Sequence, residues 1–404
     1  MSSISEARTA RHPVRIAHLG LGHFHRAHQA WYTQRADAES RADGRSPAPW
    51  GIAAFTGRSP QAARALAAQD CVYTLITRAA DGDTAEIVQS ISEAHDGAGS
   101  AWERTIADPA VAILTVTVTE RGYESTQPGE NATETPAARI VRGLAARARA
   151  SAGPIALVSC DNLSANGEAL RRIVLDEIGD ADLASWTEAN VSFVSTMVDR
   201  ITPGTTDADR ETARTLTGYD DAAPVVTEPF SEWVLSGVFP AGRPSWDLAG
   251  ARFVEDIEPY ERRKLWLLNA GHTLLAAIGL PRGHDTVAES FGDKECRAVL
   301  EQLWTEARVL LPFDDETIDA FLAALRTRFA NPRIAHRLTQ IADGDLHKLR
   351  QRQAAIVSAR LDAGDEPGKA SLATIEAWGR AHGLDLPEAL DVLQPGLAKR
   401  VYVN

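Results

Sequence analysis

The chain of 404 residues is 44% hydrophobic and 24% charged, an ordinary balance for a soluble globular protein long enough for two domains or more. A formal net charge of −13 without any basic stripe argues against a nucleic-acid partner, whose phosphates need cations to neutralise them. Three scattered cysteines, Cys71, Cys160 and Cys296, argue against a disulfide framework or a cysteine-rich zinc site, and no apolar run has the length of a signal peptide or membrane span. The expectation is a cytoplasmic protein with a small-molecule partner, no nucleic acid and no membrane.

Val14–Leu19 reads as a first buried strand ending in glycine, and Phe24–Ala36 as the helix after it. Trp50–Phe55 is a second strand. Val72–Arg78 and Glu86–Ile91 flank the turn signal Ala80-Asp81-Gly82-Asp83 and predict a hairpin. The β-branched run Val111–Thr119 and the run Ile155–Ser159 predict buried strands. Helices are expected at Ala137–Ala150 and Asn166–Glu177, and a last strand at Phe193–Val198. Strands alternating with helices imply right-handed crossovers and a mostly parallel sheet. From Pro259 onward helical patterns take over: Pro259–Ile278, Lys294–Leu310, Asp315–Arg328, Asp345–Leu361 and Leu372–Ala381. Between the halves, Thr227–Pro259 is rich in Pro, Gly and Trp.

The first strand runs into Gly20-Leu21-Gly22-His23-Phe24-His25-Arg26. Gly20 and Gly22 take the first two places of the G-x-G-x-x-G fingerprint, and His25 stands where the third glycine would be. The fingerprint needs a tight turn, then bare backbone beside a pyrophosphate, then a helix start; the third glycine serves close helix–strand packing. Its replacement therefore alters packing and leaves the phosphate site. Gly20, Gly22, Phe24 and Arg26 are the candidate cofactor residues. The second strand ends in Phe55-Thr56-Gly57-Arg58-Ser59, without the acid that receives a ribose 2′-hydroxyl. Arg58 could receive a 2′-phosphate, so NAD is expected with NADP open. The plain alternative for Arg58 is a solvated loop arginine. His23, His25 and His28 straddle a loop and a helix start without carboxylate or thiolate partners, so no metal is expected there. The fold expected is a Rossmann-type α/β domain over residues 1–245, followed by a mostly α-helical substrate and catalytic domain over residues 246–404.

A second constellation opens the helical half: Tyr260-Glu261-Arg262-Arg263-Lys264-Leu265-Trp266-Leu267-Leu268-Asn269-Ala270-Gly271-His272. On an α-helix at about 100° per residue, Lys264 and His272 lie about 80° apart and Asn269 about 140° from Lys264. All three can share one half of the helix surface. Oxidising a secondary alcohol needs a base for the hydroxyl proton, and a lysine serves only if its pKa is depressed. Asparagine amides can bind a developing oxyanion without titrating, and histidine can hold substrate hydroxyls. Singly, Lys264 reads equally as a solvated helix lysine and His272 as a core histidine. Tyr260 and Lys264 also fit the Y-x-x-x-K spacing of short-chain dehydrogenases, but they follow the domain boundary and the glycine loop differs.

These segments resemble the mannitol dehydrogenase family of long-chain, metal-independent polyol dehydrogenases, which includes fructuronate and tagaturonate reductases. The resemblance extends through Thr119-Glu120-Arg121-Gly122-Tyr123, Ser159-Cys160-Asp161-Asn162-Leu163, Val198-Asp199-Arg200-Ile201-Thr202-Pro203, Glu228-Pro229-Phe230-Ser231-Glu232-Trp233 and Gly242-Arg243-Pro244. It implies an NAD(P)-dependent oxidoreductase acting on a polyol, a ketose or a keto-uronate. It also implies a general-base role for Lys264, oxyanion binding by Asn162 and Asn269, substrate binding by His272, and proton movement near the lysine for Glu120 and Glu261. Ala342–Arg352 departs from the family's usual lysine–phenylalanine run near the substrate, which leaves the sugar open. A nucleotide-binding sensor without catalysis is the alternative from another class.

Overall fold

The structure, a computed structural model, describes residues 2–44, 49–57, 59–96, 100–118, 123 and 134–403. The chain divides into two units, Met1–Ile257 and Glu258–Asn404.

The strands of the two larger sheets of the first unit are β1 (Val14–Leu19), β2 (Gly51–Phe55), β3 (Tyr73–Ala79), β4 (Gly82–Val88), β5 (Ile91–His95), β6 (Ile113–Val116), β7 (Ile155–Ser159), β8 (Val191–Asp199), β9 (Val225–Thr227), β10 (Glu232–Ser236) and β11 (Arg252–Phe253). The main sheet runs β11-β10-β8-β7-β6-β1-β2-β5. Its members from β5 through β8 pair in parallel, and β10 joins β8 antiparallel. This is the doubly wound order in which the chain first builds outward from β1 to one side and then crosses to the other, so strand order reverses between β1 and β6. Alternation along β1 serves both faces: Ile16 packs in one buried cluster, while Ala17 and Leu19 pack in the other. The helices Pro136–Ala150 and Asn166–Glu177 supply Ile140, Leu144, Leu170 and Val174 to that second cluster.

Three features depart from the sequence pattern. The run expected at Glu86–Ile91 belongs to two strands: β4 closes the hairpin on β3, and Ile91–His95 leaves it to form the edge of the main sheet beside β2. The Pro- and Gly-rich stretch between the halves contains a genuine strand, β10, whose Trp233 and Val234 pair with Val198 and Met197 of β8. The single helix expected at Phe24–Ala36 is two: α1 (His23–Ala27) and α2 (Gln29–Ala42), broken at His28, where φ is −121° and ψ −87°. The break frees carbonyls, and buried side chains take them up. The Tyr73 hydroxyl donates to the Arg26 carbonyl at 2.6 Å, and Arg200 donates to that of Ala27 at 2.5 Å with its guanidinium over the Trp31 ring.

The second unit is helical among the described residues. Its long elements are Lys294–Arg308, Asp315–Phe329 and Lys369–Ala381, and one apolar cluster joins Leu349, Val357, Ile375, Trp378, Leu390 and Leu397. Two expected α-helices contain wide turns: Lys264–Asn269, between α3 (Glu258–Arg263) and α4 (Ala270–Gly279), and Arg350–Ala354 are π-helical. No helix among the described residues is long and apolar enough to cross a membrane.

Candidate active site

The turn after β1 folds over the end of β2, with the Gly20 and Leu21 N–H groups both donating to the Phe55 carbonyl at 2.9 Å. Gly20 sits at φ +114°, and a Cβ there would collide with the Thr117 carbonyl at the end of β6. Its need for glycine is set within the chain. Gly22 is different. A Cβ on it would meet only the Gly20 carbonyl oxygen, at 3.6 Å. Among the described residues nothing excludes a side chain there, whereas a phosphate approaching the backbone would. Phe24 is half-buried and stacks on His28. Arg26 is buried, and its guanidinium donates to the Ala223 and Gly22 carbonyls. His25 is fully buried and stacks on His18 of β1, so an aromatic pair makes the helix–strand contact that a third glycine makes in the fingerprint. Arg58 and Glu120 lie outside the described residues.

The segment carrying Asn162 leaves the end of β7, on the same edge of the sheet as the glycine turn and Thr117. Asn162 is exposed. Its loop is fixed by residues the sequence reading had not singled out for this task. Asn166, fully buried, donates to the Asp161 and Thr196 carbonyls at 2.8 and 2.7 Å and accepts from the Thr196 N–H. The Tyr123 hydroxyl meets Ser159 Oγ at 2.7 Å and donates to Asp161 Oδ2 at 2.8 Å.

In the second unit Lys264 opens the π turn and Asn269 closes it. Ala270 N–H donates to the Leu265 carbonyl five residues back. A turn closed by i→i+5 bonds holds about 4.4 residues in place of 3.6, so Asn269 falls about 50° around the helix from Lys264 instead of about 140°. His272, at the start of the α-helical continuation, follows on the same side. Lys264 is 9% exposed and His272 6%. Glu261 lies half-buried in the preceding turn. Tyr260 packs edge-to-face on Phe313 under the Arg263 guanidinium.

His272 is held neutral. Burial pushes its pKa well below the usual imidazole range, and the neighbouring His336, Arg328, Arg352 and Lys264 push it the same way; burial lowers the His336 pKa as well. Its ring lies against Phe329, with centroids 4.6 Å apart, and meets His336 edge-on at 4.7 Å. His272 Nε2 and His336 Nδ1 are buried and have no hydrogen bond among the described residues. His336 and Arg352 escaped the sequence reading because they come from segments more than sixty residues downstream. A separate His284, Asp293 and Cys296 group has ligand-like spacing. Its Asp293 is already committed: Oδ1 caps the following helix at the Glu295 and Cys296 N–H groups, and Oδ2 meets His284 and Arg282.

Residues 14–248 match the mannitol dehydrogenase Rossmann domain and residues 256–379 the mannitol dehydrogenase C-terminal domain. The chain is 34% identical over 405 residues to D-arabinitol 4-dehydrogenase of Ralstonia nicotianae (strain ATCC BAA-1114 / GMI1000), covering 93% of this chain and 86% of that protein. It is 34% identical over 419 residues to D-mannonate oxidoreductase of Escherichia coli (strain K12), covering 96% and 85%. The solved mannitol 2-dehydrogenase of Pseudomonas fluorescens, a ternary complex with NAD and D-mannitol, superposes with a TM-score of 0.78 at 31% identity over 91% of this chain and 79% of that one.

Proposed function

The chain belongs to the mannitol dehydrogenase family, and from that membership we propose that it is a metal-independent, NAD-dependent dehydrogenase interconverting a mannitol-like polyol and its ketose. The bare backbone of Gly20 and Gly22, where strand order reverses, fits a dinucleotide pyrophosphate, with Phe24 and Arg26 on the helix that follows it. When bound, NAD accepts the hydride released by the alcohol carbon. Lys264 takes the hydroxyl proton onto Nζ, and the Asn162 and Asn269 amides donate to the oxygen as negative charge builds on it. His272 holds a substrate hydroxyl. Glu261 and Glu120 pass the proton on from the lysine. Arg58 is the residue that would receive a 2′-phosphate, which makes NADP the second cofactor to test.

One observation carries this reading: a π turn spans Lys264 to Asn269, which narrows the angle between base and amide on the helix that His272 continues. A base, an oxyanion donor and a substrate ligand are then available together. The test is a panel of mannitol, arabinitol, sorbitol, fructose and fructuronate with NAD(H) and NADP(H), followed by nicotinamide absorbance. NADH binding without turnover of any of these would replace the reading with a non-catalytic sensor.

A second reading, reduction of a keto-uronate, is favoured by the charge around His272. Arg328 and Arg352 act on it as cations, and guanidinium groups suit a carboxylate. A kcat/KM for fructuronate well above that for fructose would select this reading.

A further inference from the structure

A π turn in the middle of a helix leaves backbone carbonyls without their regular partners, and it persists only where something else satisfies them. Three carbonyls of the Lys264–Asn269 turn and its exit are met by side chains. Trp304 Nε1 donates to the Leu267 carbonyl at 2.9 Å. Arg352 Nη1 donates to the Asn269 carbonyl at 3.1 Å and to Thr273 Oγ1 at 2.6 Å, while that hydroxyl reaches the same carbonyl at 3.2 Å. Gln353 Nε2 donates to the Ala270 carbonyl at 2.9 Å. Arg352 and Gln353 are neighbours on the second π turn, Arg350–Ala354. Two consecutive residues of one wide turn thus grip two consecutive carbonyls of the other.

Gln353 is fully buried, and its Oε1 has no hydrogen bond among the described residues. An apolar side chain of the same length would avoid that desolvation cost. The amide is therefore a poor choice for stability alone and a good one for holding a carbonyl in place.

We propose that Gln353, with Arg352 and Trp304, is a positioning residue that holds the Lys264–Asn269 turn in its i→i+5 register and so keeps the base and the oxyanion-binding amide on one face. This inference rests on the proposed role of Lys264. Without these donors the helix can relax to α-helical register, which carries Asn269 away from Lys264. Gln353 acts through the backbone and touches no reacting atom.

The test uses the full-length protein with its best polyol or keto substrate. Gln353→Met should lower kcat about 10- to 100-fold, the scale expected when a catalytic group moves by about an ångström. KM for NAD should stay unchanged, and the thermal midpoint should fall only modestly, because the Ala270 carbonyl loses its donor while the unsatisfied Oε1 is removed with it. The pH dependence of kcat should also shift, because the base no longer sits beside the same groups. In a Lys264→Ala background, Gln353→Met should change the residual rate by less than twofold, since both remove the same contribution. Full turnover with an unaltered pH profile in Gln353→Met, while Lys264→Ala is inactive, overturns the positioning role and leaves the function standing. Near-normal turnover in Lys264→Ala overturns the functional reading itself. If Gln353→Met does not fold, Trp304→Phe gives the same readout: it keeps an aromatic ring with some loss of packing and removes the donor to Leu267, and unchanged kcat there would likewise sink the proposal.

Discussion

His25 stacks on His18 with ring centroids 3.3 Å apart and planes 9° from parallel. The pair ties α1, the helix after the glycine turn, to β1. His18 is held by Thr115 Oγ1 at 2.9 Å and Thr117 Oγ1 at 3.2 Å, whereas neither His25 ring nitrogen has a well-formed hydrogen bond among the described residues. Such a stack survives only with both rings neutral, because two buried imidazolium ions in face-to-face contact would repel each other in a low dielectric.

Acid should therefore loosen the first unit before it protonates most carboxylates. Burial lowers the His18 pKa to about 3 and that of His25 well below its usual value. In the unfolded chain both take up protons below pH of about 6.5. The unfolded state then binds more protons than the folded one, so stability is full above that pH and falls as pH drops, by about 1.4 kcal/mol per pH unit for each histidine. Urea midpoints measured between pH 7.5 and 5 should show this slope. His25→Phe, which keeps a ring, should make it shallower by about one histidine's share. A flat profile in the parent protein would contradict the neutral pair.

The two glycines of the turn should respond differently to alanine. Gly20→Ala places a Cβ against the Thr117 carbonyl at a positive φ, so it should destabilise the fold by about 1–3 kcal/mol and weaken NADH binding as a consequence. Gly22→Ala should leave the melting temperature within about 2 °C of the parent, because only one contact at 3.6 Å awaits its Cβ. It should nevertheless raise the NADH dissociation constant at least about tenfold, as a methyl group stands where the pyrophosphate approaches. Calorimetric titration beside thermal melts separates the two. NADH binding to Gly22→Ala at parental strength would remove this turn as the cofactor site.

Tyr73→Phe probes the broken helix. The lost hydroxyl leaves the Arg26 carbonyl without its donor, a change worth about 1–3 kcal/mol when the acceptor is buried. Chemical denaturation should report the loss with little change in KM for substrate, since Tyr73 belongs to the support of the glycine turn. An unchanged unfolding midpoint would show that the break needs no such donor.

The cationic surround of His272 predicts charge selectivity. Arg328→Met should raise KM for fructuronate about tenfold or more while changing KM for a neutral polyol by less than threefold, because only the carboxylate loses a charge-assisted hydrogen bond. Equal effects on both substrates would assign Arg328 to structure and favour the polyol reading.

The sequence reveals those elements whose pattern is local. Ile155–Ser159 is a continuous apolar run, and Asn166–Glu177 shows helical spacing; both form over the residues expected. The glycine turn is legible because Gly20 must be glycine and because its place after a first strand fixes its context. Glu232–Ser236 is not legible: its strand exists through pairing with β8 across the sheet, in a stretch whose composition reads as a linker. The π turn is hidden for another reason. Leu265, Trp266, Leu267 and Leu268 are apolar on every side, so no polar stripe exists to reveal the extra residue in the turn. His336, Arg352 and Gln353 reach the site region only by tertiary folding of the second unit, which no spacing records.

The account stands on Lys264 as the base, and replacing it tests that most directly. With saturating NAD and the best substrate from the panel, Lys264→Ala should lose about 10²- to 10⁴-fold in kcat while Tyr260→Phe, whose ring packs against Phe313, keeps most of its turnover. A Lys264→Ala enzyme running near the parental rate, with Tyr260→Phe inactive, would contradict the account and hand the proton to the tyrosine.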